Sequence, residues 1–123
     1  MRYLKGTVDL GVFFPRHDKN AAKGLIRLNA YCDSDFAGDE SRKSTSSKTI
    51  CMDSCMILSQ VRRQSLEATS SGIGEFYALT DGAIESYPLV NLFRWFGFGV
   101  EWNCSTDGRA ARAMALRQGV LKV

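Results

Sequence analysis

Apolar and polar residues alternate along the chain from Leu25 onward. Every second position of this run is apolar or a cysteine, namely Ile26, Leu28, Ala30 and Cys32. A period of two is typical of a strand with one buried face, so we predict a strand from Leu25 to about Asp33. A shorter strand, LGVFF, is predicted upstream and ends at Pro15.

Two further strands are predicted after an acidic and then basic stretch, YCDSDFAGDESRKSTSS. The runs KTICM and CMILSQV both have the composition of strands, and they meet at Asp53 and Ser54. A tight hairpin turn prefers Asn-Gly or Asp-Gly, so the turn signal here is weaker than the strand signals.

A helical period replaces the alternation near Ser70. Ser70 or Ser71 can cap the helix, and Glu75 lies in its first turns, where the helix dipole favours an acid. Around a helical wheel, Asp81 and Glu85 mark the predicted water face, and Glu75 falls on its border. The opposite, core-facing side is predicted to hold Phe76, Ala83 and Tyr87.

Proline and glycine divide the rest of the chain. Pro88 lacks a backbone N–H and is expected to kink or split the helix. Past Gly97 and Gly99, the run VEWNCST alternates strictly and stops at Asp107, and RAARAMALRQ predicts a last helix. Several strands, a helix, a strand and a helix predict a mixed α/β or α+β sheet with helices packed on it.

Composition limits the class of protein. The chain has 123 residues, of which 45% are hydrophobic and 24% charged, as expected for one globular domain. No apolar run approaches the roughly 20 residues of a membrane span, and MRYLKGTVDLGVFF lacks the apolar block of a secretory signal. We therefore expect an intracellular protein with no membrane partner.

The net charge and the cysteine content do not by themselves indicate a binding partner or a metal site. The net charge of +3 is compatible with a phosphate-rich partner, but solvated surfaces explain basic pairs such as Arg62 and Arg63 more simply. The four cysteines, Cys32, Cys51, Cys55 and Cys104, are accompanied by a single histidine, His17. A structural zinc site needs four ligands in a recognisable spacing, so we interpret the cysteines as small core residues.

Three acids are candidates for one metal site. Asp33 and Asp107 each end a predicted strand, and Glu75 lies near the start of a helix. Such positions can converge at one edge of a sheet, where carboxylates bind Mg²⁺ and leave room for substrate phosphate oxygens. The simpler alternative is that the aspartates start turns and the glutamate only favours the helix dipole.

With these residues in view, the chain resembles the ribonuclease H domain of copia-type LTR retrotransposon polyproteins. The resemblance is carried by AYCDSDFAGDESRKSTSS, SSGIGEFYAL and STDGRAARAMALRQGV, in that order. It implies a ribonuclease H-like mixed α/β sheet with flanking helices that lacks the final strand and helix. It further implies that residues 1–15 are a remnant of the junction from reverse transcriptase and 16–123 an incomplete ribonuclease H-like domain.

The same resemblance implies an activity and a set of site residues. Asp33, Glu75 and Asp107 would bind two Mg²⁺ ions, or Mn²⁺, and hydrolyse the RNA strand of RNA–DNA hybrids. The residues expected to contact nucleic acid are Arg42, Lys43, Ser44, Arg62 and Arg63. Asp35 and Asp39 would shape the turn, and Asp35 is a secondary candidate for the metal. The expected partners are the hybrid and the reverse transcriptase domain of the same polyprotein, located in the cytoplasm within virus-like particles or in the nucleus. The alternative is a non-catalytic nucleic-acid-binding remnant of such a domain.

Overall fold

A four-stranded sheet forms the centre of the protein. The computed structural model describes residues 2–15, 24–37 and 43–117. In chain order the elements are α1 (Arg2–Gly6), β1 (Leu25–Asp35), β2 (Thr45–Met52), β3 (Cys55–Arg63), α2 (Ser71–Trp95), β4 (Gly99–Thr106) and α3 (Arg109–Leu116). None of the helices in the described ranges combines the length and the hydrophobicity that a transmembrane segment requires.

The sheet is mixed, with the strand order β3-β2-β1-β4. β1 pairs antiparallel with β2 and parallel with β4, and β2 pairs antiparallel with β3. The long helix α2 packs on this sheet, and α3 packs on α2. The predicted fold class is confirmed, since a mixed sheet flanked by helices is consistent with a ribonuclease H-like arrangement.

The core lies between the sheet and α2, and the period-two pattern identified its sheet side correctly. Ile26, Leu28, Ala30 and Cys32 of β1 are all buried. In β4 the positions predicted to share a face, Val100, Trp102, Cys104 and Thr106, are the less exposed half of the strand. Alternating residues of a strand point to opposite sides, so one helix layer is enough to bury one set.

The strand predicted at LGVFF is wrong. Residues 10–15 form neither helix nor strand, and Phe13 is 82% exposed. Apolar content alone does not make a strand, because its backbone N–H and C=O groups need a neighbouring strand to pair with. No described strand pairs with this segment.

The predicted hairpin between β2 and β3 is confirmed, and its turn is held by β1. Asp53 and Ser54 both have positive φ, 46° and 71°, as a two-residue hairpin turn requires. The backbone N–H of Arg27 donates to Asp53 Oδ1 at 2.8 Å, and the N–H of Asp53 donates to the carbonyl of Arg27 at 2.9 Å. These two bonds stabilise a turn that lacks the usual glycine.

The predicted faces of α2 are wrong. Its buried residues are spaced four apart, in the stripe Gly74, Ala78, Gly82, Ser86 and Val90. Most of these side chains are small, which lets the helix lie close to the sheet. Among the predicted core residues, Tyr87 is 48% exposed. Asp81 and Glu85, predicted to face water, both form ion pairs with a buried lysine of β2, Lys48.

Pro88 does not split the helix, contrary to expectation. α2 runs without a break from Ser71 to Trp95. Proline removes only the N–H that would bond the carbonyl of Ile84. Pro88 is exposed and Ile84 is 65% exposed, so water can reach that carbonyl and satisfy it.

Candidate metal centre

Two parallel strands place Asp33 and Asp107 side by side. In the register of β1 and β4, Cys32 lies opposite Thr106, and each aspartate is the next residue of its chain. Parallel neighbours point their carboxyl ends at the same edge of the sheet. The two carboxylates therefore meet at this edge although 74 positions separate them in the sequence.

Helix α2 brings the third carboxylate to the same edge. Ser70 caps the helix, since its hydroxyl accepts a hydrogen bond of 3.3 Å from the N–H of Ile73. Gly74 is buried against the sheet, and Glu75, one residue further, lies beside the end of β4. The prediction that Ser70 or Ser71 starts this helix is confirmed.

Thr106 links Glu75 to the end of β4. Its hydroxyl donates a hydrogen bond to Glu75 Oε2 at 3.1 Å and accepts one from the N–H of Gly108 at 3.2 Å. Gly108 itself approaches Glu75 closely, because a Cβ built on it would lie 2.9 Å from Glu75 Cγ. The orientation of Glu75 thus depends on a hydroxyl at one position and on the absence of a side chain at another.

The three carboxylates form one cluster. One oxygen each from Asp33, Glu75 and Asp107 lies within 4.8 Å of the others. Asp33 and Asp107 are exposed, whereas Glu75 is half-buried, so the cluster is open to solvent on one side. Three hard oxygen donors fit Mg²⁺ or Mn²⁺, which favour carboxylates and retain water ligands. The role of these residues as metal ligands stays a prediction.

A buried lysine of β2 that pairs with α2 was missed in the sequence. Lys48 Nζ contacts Asp81 Oδ2 and Glu85 Oε1, both at 2.9 Å, and the lysine side chain is 3% exposed. Burial acts to lower the pKa of Lys48, but hydrogen bonds with Asp81 and Glu85 outweigh it and hold this pKa above its ordinary value. The available signal was the alternation of β2, which places Lys48 on the buried face together with Ile50.

The described residues among those predicted to contact nucleic acid lie at one end of the sheet, where Thr45 of β2 pairs with Arg63 of β3 and the N–H of Gln64 donates to the carbonyl of Ser44 at 2.8 Å. Arg42 lies outside the described residues, and Lys43 is half-buried just before β2. Ser44 is fully buried and its hydroxyl accepts a hydrogen bond of 3.2 Å from the N–H of Ala37. A phosphate contact by Ser44 does not fit this placement, because the hydroxyl is already used inside the fold.

Arg62 and Arg63 are both exposed at the end of β3. They line a cleft of 370 Å³ between β3 and α2, which also includes Ser46, Gln64, Tyr77 and Thr80. We call it the β3 cleft. Of the two predicted turn-formers, Asp35 is exposed and ends β1, and Asp39 lies outside the described residues.

Comparisons with known proteins include a distant curated relative. No protein-family model matches the chain, and no solved structure matches it. A curated protein of Plasmopara viticola, named secreted RxLR effector protein 161, is 33% identical over 91 residues. The match covers 73% of this chain and 60% of the relative, so the chain spans about three fifths of the length of this relative.

These findings correct two expectations from the sequence. The assignment to copia-type retrotransposon polyproteins is wrong by this comparison, since the motifs are matched by no family model and the relative is named as an effector protein. The expectation of an intracellular location is likewise contradicted, because that relative is named as a secreted protein. What the structure does show is a mixed sheet flanked by helices, with three acids together at one edge.

Proposed function

We propose that the chain hydrolyses phosphodiester bonds in nucleic acid with divalent cations held by Asp33, Glu75 and Asp107. The observation that carries this proposal is the convergence of the three carboxylates within 4.8 Å at one edge of the sheet. Like charges at this separation repel unless cations neutralise them. A structural role would not require three acids from three separate elements to meet at an open edge.

The residues of the chain have distinct tasks in this proposal. Bound divalent cations supply an activated water and stabilise the leaving oxygen. Asp33 and Asp107 hold the cations from the ends of two rigid strands. Glu75 completes the donor set, and the hydrogen bond from Thr106 fixes which of its oxygens is turned toward β4. Second-layer partners of this kind orient a metal ligand before the metal arrives.

The proposed substrate is the RNA strand of an RNA–DNA hybrid. Lys43, Arg62 and Arg63 would contact backbone phosphates, which position a nucleic acid without reading its sequence. Selection of RNA over DNA depends on the 2′-hydroxyl, which is the chemical difference between the strands. This choice of substrate follows the sequence motifs, and the carboxylate cluster supports only the class of reaction.

A cleavage assay tests the proposal. We expect Mg²⁺ or Mn²⁺ to support cleavage of a labelled hybrid, EDTA to abolish it, and Asp33→Asn to reduce the rate at least 100-fold. Asp35→Asn is the matched control, because Asp35 is an exposed carboxylate of the same strand outside the cluster. Cleavage that survives Asp33→Asn would rule out the site. Salt-dependent hybrid binding without metal-dependent cleavage would instead support the non-catalytic alternative.

A second candidate function comes from the relative. We propose that this chain, like the protein of Plasmopara viticola that it matches at 33% identity, is a secreted effector protein. Antibodies against the chain, applied to secreted and cellular fractions of its source, test this directly. We expect the protein in the secreted fraction, and its restriction to the cellular fraction would overturn this candidate. Hydrolysis and secretion are compatible, so the two tests are independent.

A further inference from the structure

The outer face of α2 carries exposed side chains at the spacing of a surface on which helices pack. Ile84 and Trp95 are 65% and 78% exposed, and Pro88 and Asn91 between them are exposed as well. Successive members of this set are four, three and four residues apart. On an α-helix such spacing puts side chains in one row along the axis, as in the seam between two packed helices. We call Ile84, Pro88, Asn91 and Trp95 the outer stripe.

The outer stripe lies on the side of α2 that faces away from the sheet. At about 100° per residue, its mean direction is about 150° from that of Ser86 and Val90, which are buried. Among the described elements, β1, β2, β4 and α3 contact α2, and none of them covers the stripe. Beside it, Leu92 and Phe96 are 45% and 60% exposed, so the apolar surface widens toward the end of the helix.

The size of this surface matches one half of a protein–protein interface. Its large apolar side chains are Ile84, Leu92, Trp95 and Phe96. At about 150–250 Å² for a whole aromatic side chain and somewhat less for an aliphatic one, their exposed fractions amount to roughly 500 Å². The rest of the outer stripe raises this to about 600 Å² per copy, or about 1,200 Å² for two copies, and a stable interface needs about 1,000 Å². A second copy of the same face therefore supplies enough area.

The outer stripe is complementary to itself in one orientation. When two copies of α2 run antiparallel around a two-fold axis level with the middle of the stripe, Ile84 of one copy faces Trp95 of the other. Pro88 then faces Asn91 of the second copy, because a spacing of four, three and four is the same in both directions. Each bulky indole lies opposite a smaller side chain. This is the relationship that a two-fold interface between identical chains requires.

Pro88 leaves a hydrogen-bond acceptor on this stripe. A residue with an N–H at this position would donate to the carbonyl of Ile84, and proline has none. In a single copy, water satisfies that carbonyl. In the antiparallel pair, the side-chain amide of Asn91 of the second copy comes opposite Pro88, where it can donate to the same carbonyl. A polar residue within a helix-packing seam typically fixes register and orientation, and Asn91 is the polar residue of the stripe.

From the area, the symmetry and the unpaired carbonyl, we propose that the protein forms a dimer in which the outer stripes of two copies pack antiparallel. The contact closes on itself, because a two-fold interface uses the same patch on both copies. Glu75 lies nine residues before Ile84 on α2, about 14 Å along the helix axis. The carboxylate cluster is thus outside the contact, and the dimer does not depend on the proposed hydrolysis.

Sedimentation velocity between about 1 and 100 μM tests the proposal, since dimerisation depends on concentration. We expect the mass of two chains at the upper end of this range and dissociation on dilution. Asp33→Asn should dimerise as the wild type does even where it abolishes cleavage, so failure of the proposed hydrolysis and failure of the dimer are distinguishable. A wild type that is monomeric throughout this range would overturn the proposal.

Matched variants locate the contact. Trp95→Ser should weaken dimerisation at least tenfold. Phe13→Ser is the control, because Phe13 is 82% exposed but lies outside α2, and this variant should dimerise as the wild type does. A thermal melt checks that each variant is folded. Equal dimerisation of the Trp95→Ser and Phe13→Ser variants would rule out the outer stripe as the interface.

Disulfide cross-linking tests the antiparallel orientation. A chain with Ile84→Cys, mixed with a chain with Trp95→Cys under mild oxidation, should give a linked dimer on a non-reducing gel. Trp95→Cys alone should link no more than the wild type, whose own cysteines set the background. In the antiparallel pair the two copies of position 95 are about 16 Å apart along the axes, too far for a disulfide. Efficient linking of Trp95→Cys to itself would contradict the antiparallel arrangement.

A different occupant of the outer stripe would also be detected. A monomer that co-sediments with vesicles containing phosphatidylserine, and loses this binding on Trp95→Ser, would assign the stripe to a lipid surface and overturn the dimer. Species larger than a dimer would show that the contact does not close on itself, which is incompatible with a two-fold interface.

Discussion

Thr106 and Glu75 are joined by a hydrogen bond of 3.1 Å between a strand end and a helix. The same hydroxyl accepts a bond from the N–H of Gly108, so its proton is left to point at the carboxylate. This relationship sets the direction of Glu75 before any ligand is bound. It also gives the carboxylate cluster a supporting residue that does not itself belong to the cluster.

We predict that Thr106→Val weakens divalent metal binding about tenfold, as loss of a second-layer partner typically does. Valine keeps the shape of threonine but cannot orient Glu75. Mn²⁺ titration followed by electron paramagnetic resonance measures the affinity. Thr49→Val, at a half-buried position of β2, is the matched control. Equal Mn²⁺ affinities of the two variants would show that Thr106 does not position the glutamate.

The positions of the acids could be predicted from sequence because the alternating pattern shows where the two strands end. Alternation located β1 and β4 and the face that each strand buries, and parallel pairing then brings Asp33 and Asp107 together. The buried face of α2 could not be read in the same way. Gly74, Gly82 and Ser86 contribute almost no hydrophobic signal, yet they are buried, and Ser86 is there because its hydroxyl accepts a hydrogen bond of 3.0 Å from Trp102 Nε1.

Lys48 should be the most sensitive charged residue for stability. Removing one partner of a buried ion pair typically costs about 3–5 kcal/mol. Because Asp81 and Glu85 remain 40% and 33% exposed, water can partly solvate them, and we expect Lys48→Met to cost about 2–4 kcal/mol of the free energy of unfolding. Urea denaturation measures this loss.

Arg27→Met provides the matched comparison. Arg27 Nε contacts Glu101 Oε2 at 3.2 Å, and the two side chains are 47% and 52% exposed. Exposed pairs of this kind contribute less than about 1 kcal/mol. If the Lys48→Met and Arg27→Met variants lost the same free energy of unfolding, the buried pairs would not stabilise the packing of α2 on β2.

Gly82 is expected to tolerate no side chain while Cys32 is present. A Cβ at this position would overlap Cys32 Sγ, so Gly82→Ala would push α2 away from the sheet. We expect a net loss of about 1–3 kcal/mol, although alanine by itself favours a helix. The double variant with Cys32→Ala should recover most of this loss relative to Cys32→Ala alone. Additive effects in this double-mutant cycle, measured by urea denaturation, would contradict the contact.

Pro88 should be a site where stability can be gained. Pro88→Ala restores the N–H that can bond the carbonyl of Ile84, and the helix is already continuous here. We expect an increase of about 1–3 kcal/mol in the free energy of unfolding, since proline is the least favourable residue inside a helix. Pro15→Ala, in the segment that has no regular structure, should change stability by less than about 0.5 kcal/mol. No gain from Pro88→Ala in a thermal melt would contradict this prediction.

Alkaline pH should destabilise the protein through Cys32. Burial, with a smaller contribution from Cys104, raises the pKa of the Cys32 thiol from 9.0 to about 11. A raised pKa means that the folded state holds the proton more tightly than the unfolded state. The resulting stabilisation is complete below pH 9 and is lost as the pH rises to about 11, which amounts to about 3 kcal/mol. The raised pKa of Lys48 acts in the same direction above its ordinary value of 10.5.

Urea denaturation at several pH values isolates the contribution of Cys32. The free energy of unfolding of the wild type should be constant from pH 7 to 8.5 and should fall steeply between pH 9 and 11. Cys32→Ala removes the thiol and keeps Lys48, so its stability should decline less steeply over this interval. Parallel pH profiles of the wild type and Cys32→Ala would show that the thiol ionises equally in the folded and unfolded states. In that case Cys32 would not be buried beneath α2 in solution.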